Sequence, residues 1–229
     1  MISLQTKIFA HRGASAAFAE NTIEAFRGAV ALGADWVELD VRRTADVGLA
    51  VHHDAHLADG RAIVDVGAAE LPASVPTLSA ALEACAPLGV NVEIKNSPQD
   101  VDFDPAAAIV EPVVAAIEAT SVEVIVSSFH PPTLDRVRAV APDVATAQLT
   151  FNLSDPERAV RFAVEAGHVA LHPFDATVTR DLVRLAHDAG LALNVWTVDD
   201  PARIRALAQM GVDGIVTNVP DVAVEVLRR

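Results

Sequence analysis

Short runs of apolar and β-branched residues alternate along the chain with longer stretches whose apolar positions recur every three or four residues. Runs at 8–10, 36–41, 49–52, 90–95, 123–127, 144–149, 168–171, 191–196 and 213–217 have the length and composition of strands. Helical spacing fills most of the intervals: one stretch closing at Gly33, then 78–85, 106–118, 132–140, 156–165, 179–188, 201–209 and 220–228. Local signals mark some of the ends. Asn21 or Thr22 can cap the first helix and Thr77 the second, and Gly33 suits the turn that ends a helix. Strands alternating with helices of about 10 residues specify parallel βαβ units, and so many in succession favour a closed TIM-type (β/α)8 barrel over an open doubly wound sheet. Nine strands are one too many for that barrel. Either 49–52 extends the second strand as a hairpin, or the second and third barrel strands are joined without a helix.

The rest of the composition narrows the class. With 229 residues, 52% of them hydrophobic, and no linker or charge run dividing the chain, a single domain over 1–229 is expected. No apolar run approaches the ~18 residues of a membrane span, so stable membrane insertion is not expected. The path from Met1 to Lys7 lacks the apolar core of a signal peptide, which predicts a cytoplasmic protein. The lone Cys85 excludes an internal disulfide and a cysteine zinc site, and its Ala/Leu-rich surroundings make it a core residue. A net charge of −14 argues against nucleic acid or an anionic membrane as partner. An anionic small molecule would need a local positive site, which a bound divalent cation with Arg12 and Lys95 would supply.

The charged residues that matter lie inside strand-like runs. Glu38 and Asp40 are two apart between Trp36, Val37, Leu39 and Val41, so on a strand they share a face. Two like charges side by side in a core cost several kcal/mol unless compensated, and a hard divalent cation with oxygen ligands compensates them. Glu93 and Lys95 repeat the spacing. With His11, Ser127, Ser128 and Trp196, these residues fall in or just after the C-terminal halves of predicted strands, the end that carries active sites in such barrels. Position alone makes Trp196 a candidate wall for a ligand. Among the histidines, His11 is the leading candidate, His56 and His187 read as solvated, and His130 and His172 could face the site. Alternation lets only one of His52 and His53 point inward.

Nine motifs in register carry a family resemblance. They are His11-Arg12-Gly13, Glu20-Asn21-Thr22, Gly33-Ala34-Asp35 leading to Glu38-x-Asp40, His53-Asp54-x-x-Leu57 and Pro76-Thr77-Leu78, followed by Glu93-Ile94-Lys95, Ser128-Phe129, Trp196-Thr197-Val198 and Gly211-Val212-Asp213-Gly214-Ile215. In this order, across essentially the whole chain, they resemble the glycerophosphodiester phosphodiesterase family. The resemblance implies a TIM-type barrel that hydrolyses glycerophosphodiesters to an alcohol and glycerol 3-phosphate with a divalent cation, Mg²⁺, Ca²⁺ or Mn²⁺. Matched by motif, Glu38, Asp40 and Glu93 are the expected metal ligands, His11 and His53 the acid/base pair, and Arg12 and Lys95 the phosphate contacts. The chain departs from the pattern at Ala19, at Asp46-Val47-Gly48 and at Asn218, and 55–76 is a short connection where the family carries an inserted subdomain. Other readings of the same residues are a barrel phosphodiesterase or lyase that releases cyclic phosphate from lysophospholipid-type head groups, and a barrel that only binds a phosphorylated metabolite.

Overall fold

The computed structural model describes residues 6–228; Met1 to Gln5, on which part of the cytoplasmic expectation rests, lie outside the described residues. In chain order the elements are β1 (Lys7–His11), α1 (Ile23–Ala31), β2 (Trp36–Arg43), β3 (Leu49–Val51), α2 (Leu78–Cys85), β4 (Gly89–Ile94), α3 (Val110–Glu118), β5 (Val124–Ser128) and α4 (Pro131–Val140). They continue with β6 (Ala145–Thr150), α5 (Pro156–Glu165), β7 (Ala170–Pro173), α6 (Arg180–Asp188), β8 (Ala192–Val195), α7 (Pro201–Met210), β9 (Gly214–Thr217) and α8 (Pro220–Arg228). Eight strands pair in parallel around a closed barrel in the order β1, β2, β4, β5, β6, β7, β8, β9, with β9 returning to β1. The ninth is a hairpin. β3 pairs antiparallel with the outer end of β2, Val41 opposite Val51 and Arg43 opposite Leu49, so the first of the two resolutions offered by the sequence is the one found.

The strands are buried on both faces, as parallel barrel strands must be. Outward-facing Ile8, Val37, Leu39, Val90, Val92 and Val126 pack under a sleeve of helices that contributes Phe26, Leu82, Val113 and Leu134. Thr22, Thr77, Asp155, Thr179 and Asp200 cap five of those helices with their side chains. Inside the barrel, Phe9 and Trp36 stack with ring centroids 5.2 Å apart, and Trp36 packs against an apolar cluster of Ile125, Ala147 and Ala170. Gly89 makes room for this plug, since a Cβ there would lie 2.5 Å from the Trp36 indole. The plug closes one end of the lumen and leaves the other polar.

Three differences from the sequence pattern bear on the site and its surroundings. α3 starts at Val110 rather than 106, because Asp104 accepts hydrogen bonds from the Ala106 and Ala108 amides and Ala107 takes a φ of 51°. β2 runs to Arg43, past the barrel wall, so that Glu38, its third residue of eight, sits in the N-terminal half rather than the C-terminal half. The stretch 55–76 is more than a plain connection: Leu57, Ile63 and Val66 bury against Ala50, with Leu71 and Val75 beside them. Its apolar residues follow no period, which hides this small cluster from sequence reading.

Candidate active site

β1 delivers His11 opposite Glu38 of β2, and β2 delivers Asp40 opposite Glu93 of β4. The chain then turns sharply at Arg12 and Gly13, both with positive φ. A Cβ on Gly13 would come within 2.6 Å of the Ala25 carbonyl carbon in α1, so the turn closes only with glycine. In this conformation the Arg12 amide donates to Glu38 Oε2 at 3.1 Å. The Arg12 guanidinium reaches both Glu20 oxygens at 3.0 Å and lies 3.2 Å from Asp40 Oδ2.

The three carboxylates converge. One oxygen from each of Glu38, Asp40 and Glu93 lies within 4.8 Å of the others, and the residues are 5%, 1% and 8% exposed. Lys95 Nζ sits 2.8 Å from Glu93 Oε1 and 3.5 Å from Asp40 Oδ1. Burial would raise the Asp40 carboxyl, but Lys95 and Arg12 outweigh it and hold Asp40 below the usual carboxylate range. Glu38 is pushed well above that range by burial and by Asp40 and Glu93, and Glu93 is raised chiefly by burial. Two cations therefore leave this acidic cluster under-compensated. An all-oxygen donor set with residual negative charge fits a hard divalent cation.

Two histidines face the cluster. His11 Nε2 lies 3.8 Å from Glu38 Oε2, and its Nδ1 bonds Asn218 Oδ1 at 2.7 Å. The Asn218 amide nitrogen donates to Asp199 at 2.7 Å, which fixes the amide orientation. Nδ1 of His11 is thus the donor, and Nε2 presents its lone pair to the cavity. Burial and then the neighbouring Arg12 charge lower the His11 pKa. His53 follows the β2–β3 hairpin, donates from Nδ1 to Asp54 Oδ1 at 2.7 Å, and is lowered chiefly by burial. Of the adjacent pair, His53 lines the central cavities. His52 instead bonds the Asp54 carbonyl and borders a separate surface pocket.

A cavity of about 270 Å³ opens between His11, Arg12, Glu38, His53, Glu93 and Lys95 on one side and Phe129, Leu149 and Trp196 on the other. An adjoining cavity of about 300 Å³ is lined mostly by polar and charged residues, among them Arg42, His53, Asn96, Ser97, Asp100 and His130. All eight residues expected at the site, His11, His53, Arg12, Lys95, Trp196, Glu38, Asp40 and Glu93, border the larger constellation, Asp40 through its contacts with Arg12 and Lys95. His172 is buried in the cavity floor, where its Nε2 accepts from Asn194. His130 borders the polar cavity and bonds Thr133. His187, expected to be solvated, is exposed and also pairs with Asp213 at 2.8 Å.

Four contributors escaped the sequence reading. Asn21, considered there as a cap, is buried with φ 55° and donates to Asp40 Oδ2 at 2.9 Å, while Thr22 does the capping. Asn218 and Asp199 hold His11, and Arg42 donates from Nε to the His53 carbonyl at 2.7 Å while forking onto Asp102. Only Asn21, in the Glu-Asn-Thr motif, carried a local signal.

Residues 11–222 match the model of the glycerophosphoryl diester phosphodiesterase family. The chain belongs to that family. A glycerophosphodiester phosphodiesterase of Bacillus altitudinis is 32% identical over 96% of the chain and 98% of its own length. One from Caldanaerobacter subterraneus subsp. tengcongensis is 32% identical over 99% of each. Among solved structures, a glycerophosphodiester phosphodiesterase from Parabacteroides distasonis superposes with a TM-score of 0.86 at 26% identity, covering 98% of this chain and 97% of that one. An Oleispira antarctica phosphodiesterase, solved with its product sn-glycerol-3-phosphate, shares the fold with a TM-score of 0.89 at 22% identity over 99% and 98%. This member of the family thus has the TIM barrel that its sequence pattern implies. No helix of the described residues is long and apolar enough to cross a membrane.

Proposed function

We propose that the protein hydrolyses glycerophosphodiesters to an alcohol and sn-glycerol 3-phosphate, with Glu38, Asp40 and Glu93 holding a divalent cation, Mg²⁺, Ca²⁺ or Mn²⁺. The observation that carries the reading is the convergence of three buried carboxylates, two cations and two histidines on one cavity within a chain of this family. The cation, when bound, neutralises a phosphoryl oxygen and so lowers the repulsion a nucleophile meets. Arg12 and Lys95 add positive charge on the same side, Arg12 with a planar fork suited to phosphate. His11, held as the Nδ1–H tautomer by neutral Asn218, accepts the proton of the nucleophile at Nε2. His53, oriented by the bond from its Nδ1 to Asp54, gives the Nε2 proton of its imidazolium to the departing alkoxide. Trp196 forms the far wall, and a cytoplasmic location belongs to the same proposal, tested by cell fractionation. Phosphorus NMR of glycerophosphocholine turnover with added cation tests the chemistry. The proposal expects a monoester signal that grows as the diester decays. A cyclic phosphate as final product, or a diester untouched at every cation tested, would overturn it.

A further inference from the structure

The mouth of the barrel is divided by charge. At the ends of β1, β2 and β4 it carries His11, Arg12, Arg42 and Lys95; after β5, β6, β7 and β8 the next residue is in every case aromatic, Phe129, Phe151, Phe174 and Trp196. The chain has only eight Phe, two Trp and no Tyr, so this arc gathers a large share of its rings at one edge. The rings touch: Phe151 and Phe174 stack at 4.8 Å, Phe174 lies 5.3 Å from Trp196, and Phe129 meets Trp196 edge-on at 5.5 Å. Phe151 is nevertheless 64% exposed and Phe129 40%. Burying such rings is the default, and a contiguous exposed cluster marks a binding surface. The arc continues the apolar wall of the central cavity through Phe129, Leu149 and Trp196, so an alcohol departing from phosphate held at the charged half would lie along it.

Resting on the hydrolase reading above, we propose that this aromatic arc is the alcohol subsite and that it selects diesters whose alcohol carries an extended apolar chain. A stacked, nearly parallel ring pair (14° between planes) offers a flat apolar shelf.

The test measures kcat/KM of the cation-loaded protein on glycerophosphate esters of ethanol, butanol, hexanol and octanol, and on the choline ester beside its neutral 3,3-dimethylbutyl isostere. We expect about twofold or more per added methylene until the chain outruns the arc, since a fully buried methylene adds roughly fourfold. In Phe151→Ser the octyl-to-ethyl ratio should fall fivefold or more, and in Phe151→Leu most of it should survive; because each ratio is internal to one variant, a general loss of activity cancels. A flat chain-length series, or tenfold preference for choline over its isostere, would overturn the subsite assignment while leaving the hydrolase reading intact. No turnover of any ester would overturn that reading, and the subsite with it.

Discussion

His11 stands between a neutral amide and a buried carboxylate, Asn218 on one side and Glu38 on the other, and that setting decides what it can do. Its donor nitrogen is occupied, so the remaining lone pair is available to a reacting proton. His11→Ala and His53→Ala should each lower kcat by about two or more orders of magnitude while thermal unfolding stays near that of the parent, because both rings line the cavity and neither belongs to the apolar core. Turnover near the parent rate in either would remove that ring from the chemistry. Glu38→Gln keeps the shape but withdraws a charge from the acidic cluster. A cation titration of activity should then shift to at least tenfold higher concentration, and an unshifted curve would reject the ligand role. Glu38 and Asp40 were legible from spacing, since two carboxylates two apart in an apolar strand call for a cation, whereas only the family resemblance told His53 from His52. Asn218 was not, because its partner His11 is 207 positions away and no local pattern joins them.

Among elements, the β2–β3 hairpin is the one that turns a barrel into a site. It carries β2 beyond the wall and brings His53 back over the cavity, and Arg42 fastens it there through the His53 carbonyl and a two-point bond to Asp102, both partners buried. Arg42→Met should destabilise the fold by about 3–5 kcal/mol, the cost of leaving a buried charge unpaired, and lower kcat as well by loosening His53. Urea unfolding of Arg42→Met/Asp102→Leu should recover much of the stability but not the activity. Equal stability of all three proteins would show that the pair anchors nothing. Hydrophobic alternation foretold nearly every strand and helix, as it does where both faces are buried. It failed where side-chain bonds override period, at the Asp104 turn before α3, and where small apolar residues collapse without any period, at 55–76.

At the scale of the whole molecule, the barrel keeps a polar lumen above an aromatic plug, and one buried group makes that lumen sensitive to acid. Burial pushes His172 down to about 3. At pH 7 the ring is neutral in the folded chain and mostly neutral in the unfolded one, so it contributes little pH dependence there. Below its ordinary value near ~6.5 only the unfolded chain takes the proton, so stability falls as pH drops from there toward 3. Between pH 7 and pH 5 the loss is about 2 kcal/mol, and His172→Gln, which keeps an acceptor for Asn194, should lose that much less over the same interval in urea unfolding. Identical losses in both proteins would exclude His172 as the source. The barrel was legible from alternation and the chemistry from nine motifs, whereas the division of the mouth into charged and aromatic halves becomes visible only when the strand ends are brought side by side. The account as a whole stands on one cation site shared by β2 and β4. Its most direct test is a crystal grown with Mn²⁺ and sn-glycerol 3-phosphate and measured for anomalous scattering. The expected peak lies within about 2.0–2.6 Å of oxygens from Glu38, Asp40 and Glu93, with the phosphate between His11 and His53. A peak ligated by other residues, or phosphate bound away from both histidines, would contradict the account.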